Sequence, residues 1–217
     1  MVLVAGCVDA IGFMSTNIFP ANMTGNAVLI AVSFANPSHL LNAADPSFAL
    51  ASFCCGCFLG AALIRKLQIR LLQRINLVIL CAGFAILGCA FTLPHQSGPL
   101  PIRHLLAISF AMGLQSAAAL VMNVSGAGIT TVITNTLTNA ISKSIAFLSA
   151  LLSGQNPSAS SSPQFPILVF VTYFCGAFFG VFNCHLLTST VIIFPGLLLV
   201  GVAFFSELFL KESCQQG

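Results

Sequence analysis

The sequence predicts an all-α fold, a polytopic membrane helical bundle of about six to eight apolar segments in two internal repeats with interrupted helices. Composition, segment spacing and recurring motifs predict it. Of the 217 residues, 58% are hydrophobic and only 5% are Asp, Glu, Lys or Arg, whereas a soluble domain carries about 25% charged residues. This composition excludes a soluble or a disordered chain. The net charge of +3 is too small for a nucleic-acid-binding surface.

Apolar segments follow one another along what we expect to be a single integral membrane domain, residues 1–217. The first residues are apolar but lack a basic n-region, and Asp9 interrupts them, so we expect mature structure rather than a signal peptide. The predicted segments cover about residues 2–18, 22–35, 47–64, 75–93, 102–122, 129–152, 165–183 and 186–209.

The loop at residues 65–74 predicts the orientation of the chain. It holds four of the seven basic residues, and the positive-inside rule therefore places it on the cytoplasmic side. The proline-rich loop at 93–101 then lies on the opposite side and separates repeat one, about 1–93, from repeat two, about 102–209. Which membrane holds the protein stays open.

The two halves share motifs in the same order, which predicts a tandem duplication. Residues 55–60 (CGCFLG) recur as 175–180 (CGAFFG), and Met23 to Asn26 correspond less closely to residues 133–136. Two glycines spaced by five residues also recur, Gly83 and Gly88 as Gly196 and Gly201. Internal repeats with interrupted segments are typical of secondary transporters.

Two topologies fit these repeats. If every segment spans the membrane, each repeat has four spans and the repeats are parallel. If 22–35 and 129–152 are half-helices or re-entrant, each repeat has three spans and the repeats are inverted. The loop at 183–187, which corresponds to the basic loop, has no Lys or Arg, and this favours the inverted arrangement.

Asp9 and Lys143 are the two charged residues that lie well inside apolar segments. Charges inside hydrocarbon are costly, so each is a candidate functional residue. For Asp9 we predict a role in transport or in proton relay. The alternative is a structural hydrogen bond that ties the first segment to its neighbour.

A polar cluster follows Pro20 and opens the next apolar run. Asn22, Thr24 and Asn26 stand at this start, and such a pattern is typical of a helix N-terminus. A half-helix beginning there would direct its free N–H groups into the membrane interior, where they suit an anionic or polar group.

The second half contributes a polar stripe on an otherwise apolar helix. Thr131, Asn135, Thr138 and Ser142 fall at helical spacing on one face, and we expect this face to line a cavity rather than only to bond to another helix. Beside this stripe lie Thr134, Asn139 and Lys143. Gln115, which follows Gly113, occupies in the second half roughly the place that Asp9 holds after Gly6.

No residue set predicts catalysis, a metal or a cofactor. Most of the nine cysteines stand in apolar runs, where a free Cys behaves as a small hydrophobe. The group Cys54, Cys55 and Cys57 has no further ligand at metal spacing, and we expect these small residues to pack helices. The four histidines are scattered, so we expect no enzyme.

Several of these motifs resemble those of a known family. Residues 6–10 (GCVDA) followed by 22–26 (NMTGN) resemble the YoaK-like family of small multi-pass membrane proteins, domain of unknown function 1275. Residues 113–117 (GLQSA) and 130–138 (TTVITNTLT) are similar to its two second-half elements. Ser116 stands where the family usually has Asn, and Asn135 replaces a Gly. The resemblance implies a membrane protein, but no substrate.

The function predicted from the sequence is a transporter or permease for a small polar solute. Its path would run through a central cavity between the repeats, with a small polar solute or ion and the lipid bilayer as partners. A non-transporting membrane scaffold is the alternative. We expect no nucleic acid, and homo-oligomerisation stays open. The residues predicted to line the path are Asp9, Asn22, Thr24, Asn26, Gln115, Thr131, Thr134, Asn135, Thr138 and Lys143.

Overall fold

The computed structural model describes residues 1–35, 43–93, 100–122, 133–153, 164–184 and 192–215. These ranges contain helices and no strand, so the predicted all-α membrane bundle is confirmed. Each helix coincides with one of the predicted apolar segments. In chain order they are α1 (Val2–Thr16), α2 (Met23–Ala35), α3 (Ala44–Lys66), α4 (Leu71–Thr92), α5 (Ile102–Met122), α6 (Ile133–Leu152), α7 (Gln164–Cys184) and α8 (Ile193–Gln215).

The helices fall into two length classes. In α3, α4, α5 and most of α7, the chain is long and apolar enough to cross a membrane. Helices α1 and α2 have only 15 and 13 residues. At 1.5 Å per residue they are about 20 Å long, short of a hydrocarbon core of about 30 Å. The length of α2 favours the half-helix alternative for segment 22–35, whereas the 20 residues of α6 do not favour it for segment 129–152.

The basic loop is closed by one of its own arginines. The Arg74 guanidinium donates hydrogen bonds to the carbonyl oxygens of Ile64 at 3.0 Å and Ile69 at 2.6 Å. Arg65 and Lys66 occupy the last turn of α3, where positive charge suits the negative end of the helix dipole. The location of the basic loop on the cytoplasmic side stays a prediction.

The most extensive helix pairs join the two halves of the chain. The N-terminal α1 packs against α7, and α3 packs against α5. In both pairs the backbones touch at glycines, where an added Cβ would collide with a carbonyl oxygen of the other helix. These contacts are Gly6 with Tyr173, Gly176 with Leu3, Gly56 with Phe110 and Gly113 with Phe53.

The two pairs repeat each other residue by residue. Gly56 and Gly176, which the repeat aligns, both bury their backbone against the partner helix, and Gly60 and Gly180 do the same one turn later. Phe58 and Phe178 are exposed in both. The prediction that Cys54 and Cys55 pack helices is wrong: their side chains are exposed, because they lie on the outward face beside the packing glycine.

The direction of the helices follows from the order of their contacts. Residues that lie later along α3 contact residues that lie later along α5, so these two helices are parallel. Along α4 and α8 they run in opposite order, so these two helices are antiparallel. The ordered contacts on α4 and α8 are Asn76 with Ser206, Gly83 with Val200 and Leu87 with Gly196.

The close backbone contacts predict where alanine is tolerated. Gly56→Ala and Gly176→Ala should each lower the melting temperature of the purified protein by several degrees, since forced repacking of a tight contact costs about 1–3 kcal/mol. Gly88→Ala and Gly201→Ala are matched controls, because in the described part of the chain no atom beyond their own helical turn lies within 4 Å of an added Cβ. Thermal unfolding in detergent measures the difference. Equal shifts at all four positions would contradict the helix pairing.

Candidate functional site

The first helix ends in a turn that sends the chain back into the bundle. Asn17, which follows Thr16, has left-handed backbone angles (φ 58°, ψ 26°), and its N–H donates to the carbonyl oxygen of Phe13. Asn is one of the few residues that tolerates this conformation without a large steric cost. The chain therefore reverses direction at this residue.

Residues 18–22, which we call the return segment, run back along α1. Gly12 lies against the carbonyl oxygen of Ile18 and the ring of Pro20. The last residues of the segment reach the level of Asp9. Asp9 lies seven residues before the end of α1, so the return segment dips about 10 Å back along that helix.

The Asp9 carboxylate holds the deepest part of the return segment. Its Oδ1 accepts hydrogen bonds from the backbone N–H groups of Ala21 at 2.7 Å and Asn22 at 3.0 Å. Its Oδ2 accepts a bond from the hydroxyl of Tyr173 on α7 at 2.9 Å. Asp9 is 3% exposed, and all three donors are uncharged. One side chain thus joins α1, the return segment and the partner helix from the other half.

The position of these amides explains why a carboxylate is needed. Ala21 and Asn22 precede the first residue of α2, and N–H groups at a helix start have no partner within the helix. An unpaired N–H inside hydrocarbon costs several kcal/mol. A negative charge at this end of α2 also suits the positive end of the helix dipole.

Asn26 fastens the return segment at a second point. Its Oδ1 accepts a bond from the backbone N–H of Phe19 at 2.9 Å, and its Nδ2 donates to the Phe19 carbonyl oxygen at 2.6 Å. Asn26 is fully buried. The Phe19 ring stacks on Phe13 with centroids 4.7 Å apart. The amide therefore replaces both bonds that the Phe19 backbone would make in a regular helix.

Asn22 and Thr24 differ in their surroundings. The Oδ1 of Asn22 accepts a bond from the backbone N–H of Gly25 at 3.2 Å, so Asn22 caps the helix start that the polar cluster predicted. Thr24, by contrast, has an exposed side chain. Of the predicted path residues, the structure brings Asp9, Asn22 and Asn26 together, with Thr24 at the edge of the group.

Gln115 lies apart from this group, on the central helix α5. It is fully buried, and its Nε2 donates to the carbonyl oxygen of Met1 at 3.1 Å. Its Oε1 has no hydrogen-bond partner in the described part of the chain, and neither do the hydroxyls of the buried Ser109 and Ser116. Ser116 stands three residues after Gly113, as Asp9 stands three residues after Gly6.

The predicted stripe on α6 is only partly described. Thr131 lies outside the described residues, and of Thr134 and Asn135 only the helical backbone is described. Thr138 is exposed and Lys143 is half-buried. Among the described helices α6 packs against α7 alone, so in this structure Lys143 is not part of the group around Asp9. The cavity-lining role stays a prediction.

Tyr173 is the residue that sequence reasoning missed. It is the single tyrosine of the chain, and the repeat aligns it with Phe53, three residues before the packing glycine in each half. A buried Tyr hydroxyl usually finds a partner. The Phe-to-Tyr difference between the repeats was the signal that could have found it. The sequence prediction gave His104 no role, but His104 is buried and its Nε2 lies 3.2 Å from the Thr92 hydroxyl oxygen.

The arrangement around Asp9 is suited to binding a proton rather than a metal ion. No group of three metal-ligating His, Cys, Asp or Glu side chains occurs in the described residues. The Asp9 oxygens already face three hydrogen-bond donors, whereas a hard cation needs several oxygen acceptors around it. A carboxylate in this setting can hold its neighbours together or exchange a proton.

The helices and the buried polar break define an integral multi-pass membrane protein. The chain belongs to the family described as "Protein of unknown function (DUF1275)", whose model matches residues 1–205, and this confirms the resemblance found in the sequence. The UPF0700 transmembrane protein YoaK of Bacillus subtilis (strain 168) is 31% identical over 136 residues. That match covers 62% of this chain and 60% of the length of YoaK. No solved structure matches.

The double hydrogen bond of Asn26 predicts a strong dependence of stability on this side chain. Asn26→Leu keeps the volume but leaves the Phe19 N–H and carbonyl buried without partners, at a cost of about 1–3 kcal/mol for each. The melting temperature in detergent should fall markedly. The matched control is Thr24→Val, where an exposed side chain changes and the melting temperature should stay within about a degree. A stable Asn26→Leu variant would contradict the described return segment.

Proposed function

We propose that this multi-pass membrane protein is a transporter or permease for a small polar solute, with a path between two inverted repeats. One observation carries the proposal: the chain breaks in the return segment, inside a bundle that we place at membrane depth, and a buried carboxylate holds the break. Irregular backbone at this depth is tolerated only where protein buries it or where it lines a wet cavity. Broken helices of this kind form the binding sites of many secondary transporters.

The inverted arrangement is supported by α4 and α8. These helices stand at corresponding places in the two predicted repeats, and they are antiparallel. Two elements that a two-fold axis relates are antiparallel when the axis is perpendicular to them, so the axis lies in the plane of the membrane. The same axis would exchange α1 with α5 and α7 with α3, so it would relate the α1–α7 pair to the α5–α3 pair.

The central helix supplies the side chains best placed for a polar path. Ser109, Gln115 and Ser116 are buried, and each has a polar atom without a partner in the described ranges. A buried polar atom without a hydrogen bond costs about 1–3 kcal/mol. A second conformation in which water or solute reaches these atoms would remove that cost, which is the reason to assign them to the path.

The chemistry of these groups favours a solute without net charge. The amide and hydroxyls on α5 offer both hydrogen-bond donors and acceptors but no charge. Asp9, the one buried carboxylate among the described side chains, is already engaged by three donors. Neutral polar molecules such as polyols, urea and small amides are therefore the first probes to use.

A non-transporting scaffold is the second candidate. It is favoured by the fact that both oxygens of Asp9 bind the protein itself, as a structural role requires. In a scaffold the polar atoms on α5 would stay closed to water at all times. Access of water to Ser116 therefore separates the two functions.

Thiol labelling measures this access. In a cysteine-free background, Ser116→Cys should react with a small hydrophilic methanethiosulfonate reagent in proteoliposomes, although it is buried in the described state, because the path opens. The matched controls are Phe58→Cys and Phe178→Cys, which are exposed on the bundle surface where we expect lipid. They should react at least about tenfold more slowly. Reaction at the controls with protection of Ser116→Cys would favour the scaffold.

A flux measurement complements the labelling. Proteoliposomes that contain the protein should take up glycerol or urea faster than empty vesicles, as read from light scattering after an osmotic step. Asp9→Asn should lower that uptake. Uptake at the wild-type rate in both Asp9→Asn and Thr24→Val would remove the proposed site, and uptake equal to that of empty vesicles for every probe would remove this solute class.

A further inference from the structure

The two cross-half helix pairs differ at one position that the glycine packing does not explain. In the pair α1–α7, Asp9 accepts the hydrogen bond of Tyr173. In the pair α5–α3, the corresponding residues are Ser116 and Phe53, and the Ser116 hydroxyl has no partner among the described residues. The α1–α7 pair thus carries a hydrogen-bonded carboxylate where the α5–α3 pair carries a hydroxyl and a phenyl ring.

Few other ionisable groups lie on the helices around Asp9. On α1 the neighbouring titratable residue is Cys7, which is buried. Helix α7 carries Tyr173, the exposed Cys175 and, at its last position, Cys184. The described side chains of α8, which also contacts α1, include Glu207, while α5 carries Arg103 and His104 in its first turn. Neither the return segment nor α2 has a titratable side chain.

We propose that Asp9 is a proton-binding site whose occupancy controls release of the return segment. This inference rests on the proposed transport function, for which it names the coupling ion. The ionised carboxylate accepts all three bonds. Charge-assisted hydrogen bonds are about twice as strong as neutral ones, so loss of the charge weakens the attachment of both backbone amides at once.

Protonation changes each of the three bonds in a definite way. When a proton binds Oδ2, that oxygen becomes a donor, and the Tyr173 hydroxyl turns from donor to acceptor or rotates away. Oδ1 becomes the carbonyl oxygen of a neutral acid and keeps only weaker bonds from Ala21 and Asn22. The α1–α7 contact and the return segment loosen together. Ser116 and Phe53, the corresponding residues of the α5–α3 pair, do not respond to protons.

A proton fits this site better than a metal ion does. A bound cation would stand beside the N–H and O–H donors that point at the carboxylate, and these carry partial positive charge. A proton needs no further ligand and no space. Of the two corresponding helix pairs, the proposal therefore assigns proton binding to the α1–α7 pair alone.

A tryptophan reporter tests the proposal without knowledge of the solute. The chain has no tryptophan, so Phe19→Trp places a single indole on the return segment. In proteoliposomes titrated from about pH 5 to about pH 9, its emission should show one transition. Adding Asp9→Asn should abolish the transition and fix the emission near its acidic value. Phe58→Trp on the outer face of α3 is the matched control and should show no transition.

Tyr173→Phe provides a second reading that does not depend on the stability of Asp9→Asn. It removes one donor to the charged form, so the transition should persist with its midpoint at higher pH. Phe53→Tyr, the corresponding change in the other pair, should leave the midpoint unchanged. A transition that survives Asp9→Asn, or an unmoved midpoint in Tyr173→Phe, overturns the proton site. If Ser116→Cys still reacts with the hydrophilic reagent in that case, only the coupling ion is wrong and the transport proposal stands.

Discussion

Backbone polar groups inside a membrane need partners, and this structure depends on how that requirement is met at one place. The return segment brings the N–H groups of Ala21 and Asn22 beside the buried Asp9 on α1, and the Asp9 carboxylate accepts both. The same carboxylate accepts the hydroxyl of Tyr173 from the other half of the chain. A charge that would be costly alone is stabilised by three donors, and it allows a break that hydrocarbon would not tolerate.

The rest of the bundle is held by close backbone packing, which is nearly the same in both halves. Glycines let α1 approach α7 and let α3 approach α5, so each half supplies one helix to each pair. Packing of this kind has no pH dependence and is the same in the α1–α7 and α3–α5 pairs. The hydrogen bond of Tyr173 to Asp9 is what makes the two pairs different. The proposed proton binding at Asp9 would make one pair sensitive to pH, which is the asymmetry that directional transport would use.

The sequence predicted the fold better than the site, for physical reasons. Apolar segment lengths and the recurring glycines predicted the helices and their packing positions, because both depend on local composition. The partners of Asp9 could not be read from the sequence. Two of the partners are the backbone N–H groups of Ala21 and Asn22, and every residue except proline has such a group. The third partner, Tyr173, lies 164 positions away on a helix from the other half. The aligned Phe53 was the only local sign.

The direct test of the account is the coupling between Asp9 and Tyr173 in a double-mutant cycle. The free energy of unfolding in detergent would be compared for the wild type, Asp9→Asn, Tyr173→Phe and the double variant. The account predicts a coupling energy of about 1–2 kcal/mol, because the bond to a buried charge is lost in either single variant. Effects that add within about 0.5 kcal/mol would contradict a bond across the two halves.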